Sequence, residues 1–152
     1  MATRIPGEIY WGGEARFYLG GDVVAYLWPC RILRQGVGGP TLGIEVGGKE
    51  VIRFDCHGKQ GHWHDRGYDK LGPSASRRSF LDGLTTVKQQ IAWSLAQIDF
   101  RLNLLLTEAG HSIATEAINP KLVDFAIAGI EQRLKKTGAL RPRAVRQGLI
   151  KE

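Results

Sequence analysis

The glycines of this chain are concentrated in its first half, and this asymmetry constrains the fold more than any other feature of the sequence. Of 20 glycines in 152 residues, 15 lie within residues 1–76 and five within residues 77–152. Glycine is favoured in tight turns that need a positive φ and is unfavourable inside helices. The first half is therefore predicted to be rich in turns and strands, and the second half to be helical.

Two Gly-Gly pairs, Gly20-Gly21 and Gly47-Gly48, predict β-hairpins in the first half. Each pair separates two stretches of strand-forming residues, which are 15–19 and 22–28 for the first pair and 41–46 and 49–55 for the second. Together they predict an antiparallel meander of about four strands, one face of which must be covered by another layer.

A two-residue Gly-Gly turn also fixes the register of the hairpin that it closes. For the second hairpin we expect Val46 to pair with Lys49 and Ile44 to face Val51.

From Thr86 onward the spacing of apolar residues changes to that of a helix of about 24 residues. Thr86 followed by Gln89 is a capping-box pattern, and Gly110 is a typical helix stop. One apolar stripe runs along this helix and comprises Leu84, Val87, Ile91, Leu95, Ile98, Leu102 and Leu105. We expect Ile91, Leu95, Ile98 and Leu102 to be buried against Val23, Ile44 or Val51.

Asn119-Pro120 predicts the start of a second helix, which ends before Gly138, and residues 111–118 predict a short helix between the two. The predicted fold class is therefore α+β, with the antiparallel β-meander packed against a long helix and a shorter C-terminal helix.

The positive charge is concentrated at the C-terminal end of the chain. The formal net charge is +6 and the sequence pI is about 9.6. Residues 133–152 carry seven basic groups and one acid, so the preceding residues hold 14 of the 21 basic and 14 of the 15 acidic side chains. We expect a single domain over residues 1–138 and a basic tail over residues 139–152. The tail either binds nucleic acid or only aids solubility.

Two cysteines, Cys30 and Cys56, are too few for a disulfide framework, and the chain opens on no signal-peptide pattern. No stretch approaches the roughly 18 apolar residues that a membrane-spanning helix needs. These features predict a cytoplasmic protein with no membrane role.

Three of the four histidines lie within residues 57–64, immediately after the strand predicted to end at Asp55. Because side chains alternate along a strand, Arg53 and Asp55 share one face, and His62 and His64 share a face if their segment is extended. Imidazole exchanges protons near neutral pH and is also the commonest metal ligand. This cluster is the candidate site.

Three interpretations of the cluster remain open from the residues alone. His62 and His64, with a carboxylate such as Asp55, Asp65 or Asp69, supply a ligand set for a divalent metal with open positions. Alternatively, the two histidines act as acid and base on a phosphodiester, Arg53 holds the phosphate and Asp55 orients a histidine. In the third interpretation the histidines only bond to backbone groups.

Four further residues are candidates for ligand binding. Trp63 lies between two histidines, where it could stack on a planar ligand, and His57 adjoins the same glycine-rich loop. Arg77 and Arg78 form a basic pair suited to phosphate contacts.

These residues resemble a small bacterial domain family of unknown function. The resemblance rests on Arg-Phe-Asp-Cys at residues 53–56, His-x-His at 62–64, Ala-Trp-Ser-Leu at 92–95 and Ala-Gly-His at 109–111. It covers residues 49–134 and departs from the family in a Gly-Lys-Gln-Gly insert and in Trp63, where a tyrosine is usual. More loosely, the Arg-Phe-Asp strand followed by His-x-His is similar to RNA-targeting toxins of bacterial toxin–antitoxin modules.

The leading functional hypothesis is a small protein that acts on or binds RNA or another phosphate-bearing ligand through His62, His64, Asp55 and Arg53. The alternative is a metal-dependent enzyme acting on a small molecule. A third hypothesis is a non-catalytic interaction module or homodimer, since the long helix has a second apolar face that carries Phe100 and Leu104.

Overall fold

The computed structural model describes residue 2 and residues 4–66 and 76–152. Within these residues, seven strands form one antiparallel sheet. The strands are β1 (Ile9–Trp11), β2 (Ala15–Gly20), β3 (Val23–Ile32), β4 (Gly38–Val46), β5 (Lys49–Asp55), β6 (His62–His64) and β7 (Arg77–Arg78).

The sheet has the order β1-β3-β4-β5-β6-β7, and β2 pairs with the same edge of β3 as β1. The four strands predicted from the Gly-Gly hairpins are β2 to β5, so both hairpins are confirmed. The additional strands β1, β6 and β7 have only two or three residues each, too few to show an alternating pattern. The predicted α+β class is confirmed.

The register of the second hairpin changes within the strands. Val46 pairs with Lys49, as predicted, but Ile44 pairs with Ile52, so the predicted pairing of Ile44 with Val51 was wrong. The register shifts between Ile44 and Glu45, which leaves Val51 as an extra residue in β5. Turn geometry alone would have kept the simple register.

The bulge determines which face of the sheet each later residue of β5 occupies. Beyond it, Phe54 pairs with Leu42 and Arg53 pairs with Gly43. Phe54 and Leu42 are both fully buried in the main core. In the simple register Arg53 would lie opposite Leu42 on that apolar face. Burial of the apolar set therefore outweighs the turn, and it directs Arg53 to the other side of the sheet.

The helices are α1 (Val87–Glu108), α2 (Pro120–Lys136) and α3 (Leu140–Arg146), with 3₁₀ turns at Gly58–Gln60 and Ser112–Ala117. The Thr86–Gln89 capping box begins α1, and Gly110, at φ 88°, follows its C-terminal end. The Asn119 side chain accepts a hydrogen bond from the Lys121 N–H at the start of α2. The predicted helix starts and stops are confirmed.

The main core lies between one face of the sheet and the helices α1 and α2. Of the predicted stripe on α1, Leu95, Ile98 and Leu102 are buried and Ile91 is half-buried, and all four belong to the core that also holds Val23, Ile44 and Val51. The second helix contributes Val123, Ala126 and Ile130.

Helix α3 and the residues after it pack on the sheet separately from the main core. Ala144 and Ile150 are buried against Cys30 and Ile32 of β3, and the Lys151 N–H donates to the Gly36 carbonyl. Residues of the basic C-terminal segment thus contact the sheet directly. The division into a domain of residues 1–138 and a tail of residues 139–152 stays a prediction.

None of the helices in the described part of the chain is long and apolar enough to cross a membrane.

A pair of substitutions on α1 tests the packing of this helix. Ile98 is buried in the core and Phe100 is 81% exposed. We expect Ile98→Ala to reduce the free energy of unfolding by about 2–5 kcal/mol, because it leaves a cavity. Phe100→Ala should change it by no more than about 0.5 kcal/mol. Urea denaturation of the two variants measures both values, and equal losses would contradict the packing described.

Candidate functional site

Strands β5 and β6 bring the predicted site residues together on the face of the sheet opposite the helices. Asp55 is directly across from His62, and Arg53 is directly across from His64. Because paired residues point to the same face, all four side chains project together. The extended segment that the His-x-His spacing required is strand β6.

The Asp55 carboxylate is the centre of this group and is 1% exposed. Its Oδ1 atom accepts hydrogen bonds from Arg31 Nη1 and Thr41 Oγ1, both at 3.0 Å. The Arg53 Nε atom lies 3.4 Å from the same oxygen. Oδ1 therefore faces two guanidinium groups and a hydroxyl.

Each of these guanidinium groups also contacts a second carboxylate. Arg31 binds Glu8 through Nε at 2.8 Å and Nη2 at 3.2 Å. Arg53 Nη1 lies 3.7 Å from Glu50 Oε2. This pairing opposes the predicted role of Arg53 as a phosphate clamp, because buried carboxylates already neutralise its charge.

The other carboxylate oxygen, Asp55 Oδ2, faces the two histidines. His62 Nε2 lies 3.1 Å from it and His64 Nε2 lies 3.6 Å from it. Burial by itself would raise the pKa of Asp55. The charge of Arg53 and the contacts with the His62 and His64 rings outweigh burial and hold this pKa well below its usual range. Asp55 is therefore ionised at neutral pH.

The orientation of His62 limits what can occupy the gap between its ring and Asp55. Its Nδ1 atom lies 3.1 Å from the Gln60 carbonyl oxygen, which can only accept, so Nδ1 carries the proton of this hydrogen bond. A neutral His62 would then direct the lone pair of Nε2 at the Asp55 carboxylate. This contact is favourable only when a proton or a metal ion lies between the two atoms.

His57 lies on the other side of Asp55, where its Nε2 is 3.1 Å from Thr41 Oγ1. The single hydroxyl proton of Thr41 is donated to Asp55, so His57 must donate through Nε2–H. Burial lowers the pKa of His57 to about 3. His57 is thus neutral, with its Nδ1 lone pair lacking a hydrogen-bond donor among the described residues.

Gln90 of α1 fixes the segment that connects β5 to β6. Its amide accepts from the Gly58 N–H at 2.9 Å and donates to the Gly58 carbonyl at 2.7 Å, and it also donates to the Leu84 carbonyl at 2.9 Å. Gln90 also packs against Gly61, where a Cβ atom would approach its amide to 2.5 Å. One buried amide thereby holds the chain between His57 and His62.

The remaining predicted residues lie away from the cluster. Trp63 projects to the opposite face, where it packs against Phe54 and Trp93 with ring centroids at 5.6 and 5.4 Å. Arg78 binds Asp65 and lies over the Trp63 ring.

Arg77, in β7, is exposed. Asp69, the other predicted carboxylate ligand, lies outside the described residues.

Sequence reasoning missed Arg31, Thr41 and Gln90. Thr41 pairs directly with Asp55 across β4 and β5, so a correct register would have found it. Arg31 reaches the site from β3, and Gln90 reaches it from α1, 32 residues after Gly58. No local pattern identifies those two contacts.

The fold and the site define an α+β protein with a buried His/Arg/Asp cluster on the face of its sheet opposite α1 and α2. Residues 31–134 match the family model described as Domain of unknown function (DUF7700). The chain belongs to this uncharacterised domain family. The predicted resemblance to a domain family of unknown function is confirmed to that extent. No curated protein and no solved structure matches the chain.

Gln90→Leu tests the role of the buried amide. The Gly58 N–H and the Gly58 and Leu84 carbonyls lose their partner, and each buried unsatisfied group costs about 1–3 kcal/mol. We expect a loss of at least about 2 kcal/mol in the free energy of unfolding, with faster hydrogen exchange at the Gly58 amide. Gln97→Leu, on the same helix, is the matched control. If the Gly58 amide is as well protected in Gln90→Leu as in the wild-type protein, the Gln90 amide does not stabilise this turn.

His57→Gln tests the buried neutral imidazole through the pH dependence of stability. The unfolded chain takes up a proton at His57 below about pH 6.5, whereas the folded protein does so only near its pKa of about 3. The stability that neutral His57 contributes above pH 6.5 is therefore lost as the pH falls towards 3. The slope approaches about 1.4 kcal/mol per pH unit.

The measurement is urea denaturation between pH 7 and pH 4.5 in the presence of a chelator. We expect the wild-type protein to lose stability more steeply than His57→Gln over this interval. Parallel curves would mean that His57 binds its proton over the same pH range in the folded protein as in the unfolded chain, which contradicts the lowered pKa.

Proposed function

We propose that Asp55, His62 and His64 bind one divalent transition-metal ion, and that the protein is a metal-dependent enzyme acting on a small molecule. The observation that carries the proposal is the convergence of three donor atoms, which all lie within 4.8 Å of one another. Two of these atoms, the histidine Nε2 nitrogens, are directed at the third, Asp55 Oδ2.

Two of the three distances between donor atoms match those of ligands on a shared ion. Ligand atoms about 2.0–2.2 Å from one metal ion lie about 3.0–3.6 Å from each other. The distances from Asp55 Oδ2 to the two histidine nitrogens, 3.1 and 3.6 Å, fall within this range. The hydrogen bond from His62 Nδ1 to the Gln60 carbonyl leaves Nε2 as the ligating atom, which is how metal-binding histidines are commonly oriented.

The local charge also favours a cation. Arg31 and Arg53 contribute two positive charges beside Asp55, but Glu8, Glu50 and Asp55 together contribute three negative charges. With neutral histidines these five side chains carry one net negative charge, which a divalent ion would more than balance.

Two nitrogens and one oxygen are a donor set for Zn²⁺, Fe²⁺ and related ions. Three protein ligands leave coordination positions for water or substrate, where the ion acts as a Lewis acid and lowers the pKa of bound water. The His62 side chain, 12% exposed, is the most accessible of the three ligands. A small molecule would therefore approach from the His62 side.

The phosphate-binding hypothesis uses the same histidines without an ion. A protonated His62 would make the same contact with Asp55, and metal content distinguishes the two cases. The guanidinium of Arg53, which this hypothesis needs for phosphate, is paired with Asp55 and Glu50, and this favours the metal proposal.

Several sequence predictions remain proposals beside this one. They are nucleic-acid binding by the basic C-terminal segment, a homodimer, a cytoplasmic location and the similarity to RNA-targeting toxins. The buried free cysteines Cys30 and Cys56 support a reducing compartment.

Zinc titration of the purified, chelator-stripped protein tests the metal centre. We expect isothermal titration calorimetry to show one Zn²⁺ per chain, and His62→Ala and His64→Ala each to weaken binding at least about tenfold, in line with the loss of a ligand. His111→Ala is the control, because this fourth histidine lies beyond the end of α1 and outside the cluster.

Absence of zinc binding, or binding that survives both substitutions, would contradict the proposal. Circular dichroism of each variant establishes that it is folded. His62→Ala should disturb folding less than His64→Ala, because His64 is fully buried.

A further inference from the structure

We infer that a second site, distinct from the Asp55, His62 and His64 donor group, binds a small phosphorylated molecule. The site is a cleft of about 510 Å³ at the N-terminal end of α1. Its walls include the 3₁₀ turn Gly58–Gln60, the residues Thr85 to Lys88 and the C-terminal residues from Ile150 onward. This volume is typical of small-molecule sites.

Four cationic side chains from distant parts of the chain converge on the cleft, namely Lys59, Lys88, Arg141 and Lys151. One acidic side chain, Glu152, also lines it and is paired with Arg141 at 2.8 Å. The lining therefore has a net side-chain charge of +3. Lys59, Lys88 and Lys151 are exposed and form no ion pair with a described residue.

Hydrogen bonds to backbone carbonyls fix the side chain of Arg141 in the wall of the cleft. Its Nε donates to the Gly38 carbonyl at 2.9 Å and its Nη2 to the His57 carbonyl at 3.3 Å. The lysines thus line the same cleft as a fixed guanidinium, at the positive end of the 22-residue helix α1. A cationic cleft at such a helix end favours a phosphate group.

The size of the cleft indicates a ligand larger than a phosphate ion. A volume of about 510 Å³ leaves room for a small organic group beside the phosphate. A cationic lining and this volume together describe a small phosphorylated molecule such as a sugar phosphate.

Ribose 5-phosphate and inorganic phosphate are the probes for this site. We expect calorimetry of the full chain at low salt to show one ribose 5-phosphate per chain, bound more tightly than inorganic phosphate. Lys59→Glu and Lys88→Glu should each weaken binding about tenfold or more, because each replaces an attractive charge by a repulsive one.

Lys121→Glu is the control for net charge, since Lys121 is exposed at the start of α2 and does not line the cleft. His62→Ala should also leave ribose 5-phosphate binding unchanged, so failure of the metal proposal and failure of this one are distinguishable.

Three results would overturn the inference. The first is that neither phosphate compound binds. The second is that Lys121→Glu weakens binding as much as Lys59→Glu does. The third is that a single-stranded RNA oligomer binds while ribose 5-phosphate does not. The substituted lysines are all exposed, and circular dichroism confirms that each variant is folded.

Discussion

The site depends on the neutralisation of one ionised carboxylate, that of Asp55, which is buried on the face of the sheet opposite α1 and α2. It joins four neighbouring strands, because it contacts Arg31 of β3, Thr41 of β4, and His62 and His64 of β6. An uncompensated charge at this depth would cost several kcal/mol. The surrounding polar side chains are therefore held in place by the need to neutralise Asp55, and the same need orients both imidazoles towards one oxygen atom.

The position of this carboxylate depends in turn on one extra residue in β5. The bulge at Val51 allows Ile52 and Phe54 to enter the apolar core and directs Arg53 and Asp55 to the opposite face. Core packing and site geometry are thus consequences of the same register. On the helix side, the buried amide of Gln90 fixes the connecting turn, so that α1 contributes to the site without projecting a side chain into it.

The parts of the fold that sequence predicts are those with local signals. The Gly-Gly turns, the Thr86–Gln89 box and Asn119-Pro120 each act within a few residues, and the structure confirms them. The bulge and the contacts of Arg31 depend on residues distant in sequence, so periodicity could not reveal them.

Within the site, the density of histidines after a strand identified His62, His64 and Asp55. The same density suggested Trp63, which alternation along β6 places on the other face.

The most direct test of the metal centre is a crystal structure of the zinc-treated protein with anomalous scattering measured at the zinc edge. The expected result is one peak about 2.0–2.2 Å from His62 Nε2, His64 Nε2 and Asp55 Oδ2. A map with no peak at this position, and with a direct hydrogen bond between His62 Nε2 and Asp55, would contradict the account. The cluster would then be a buried hydrogen-bond network without a metal ion.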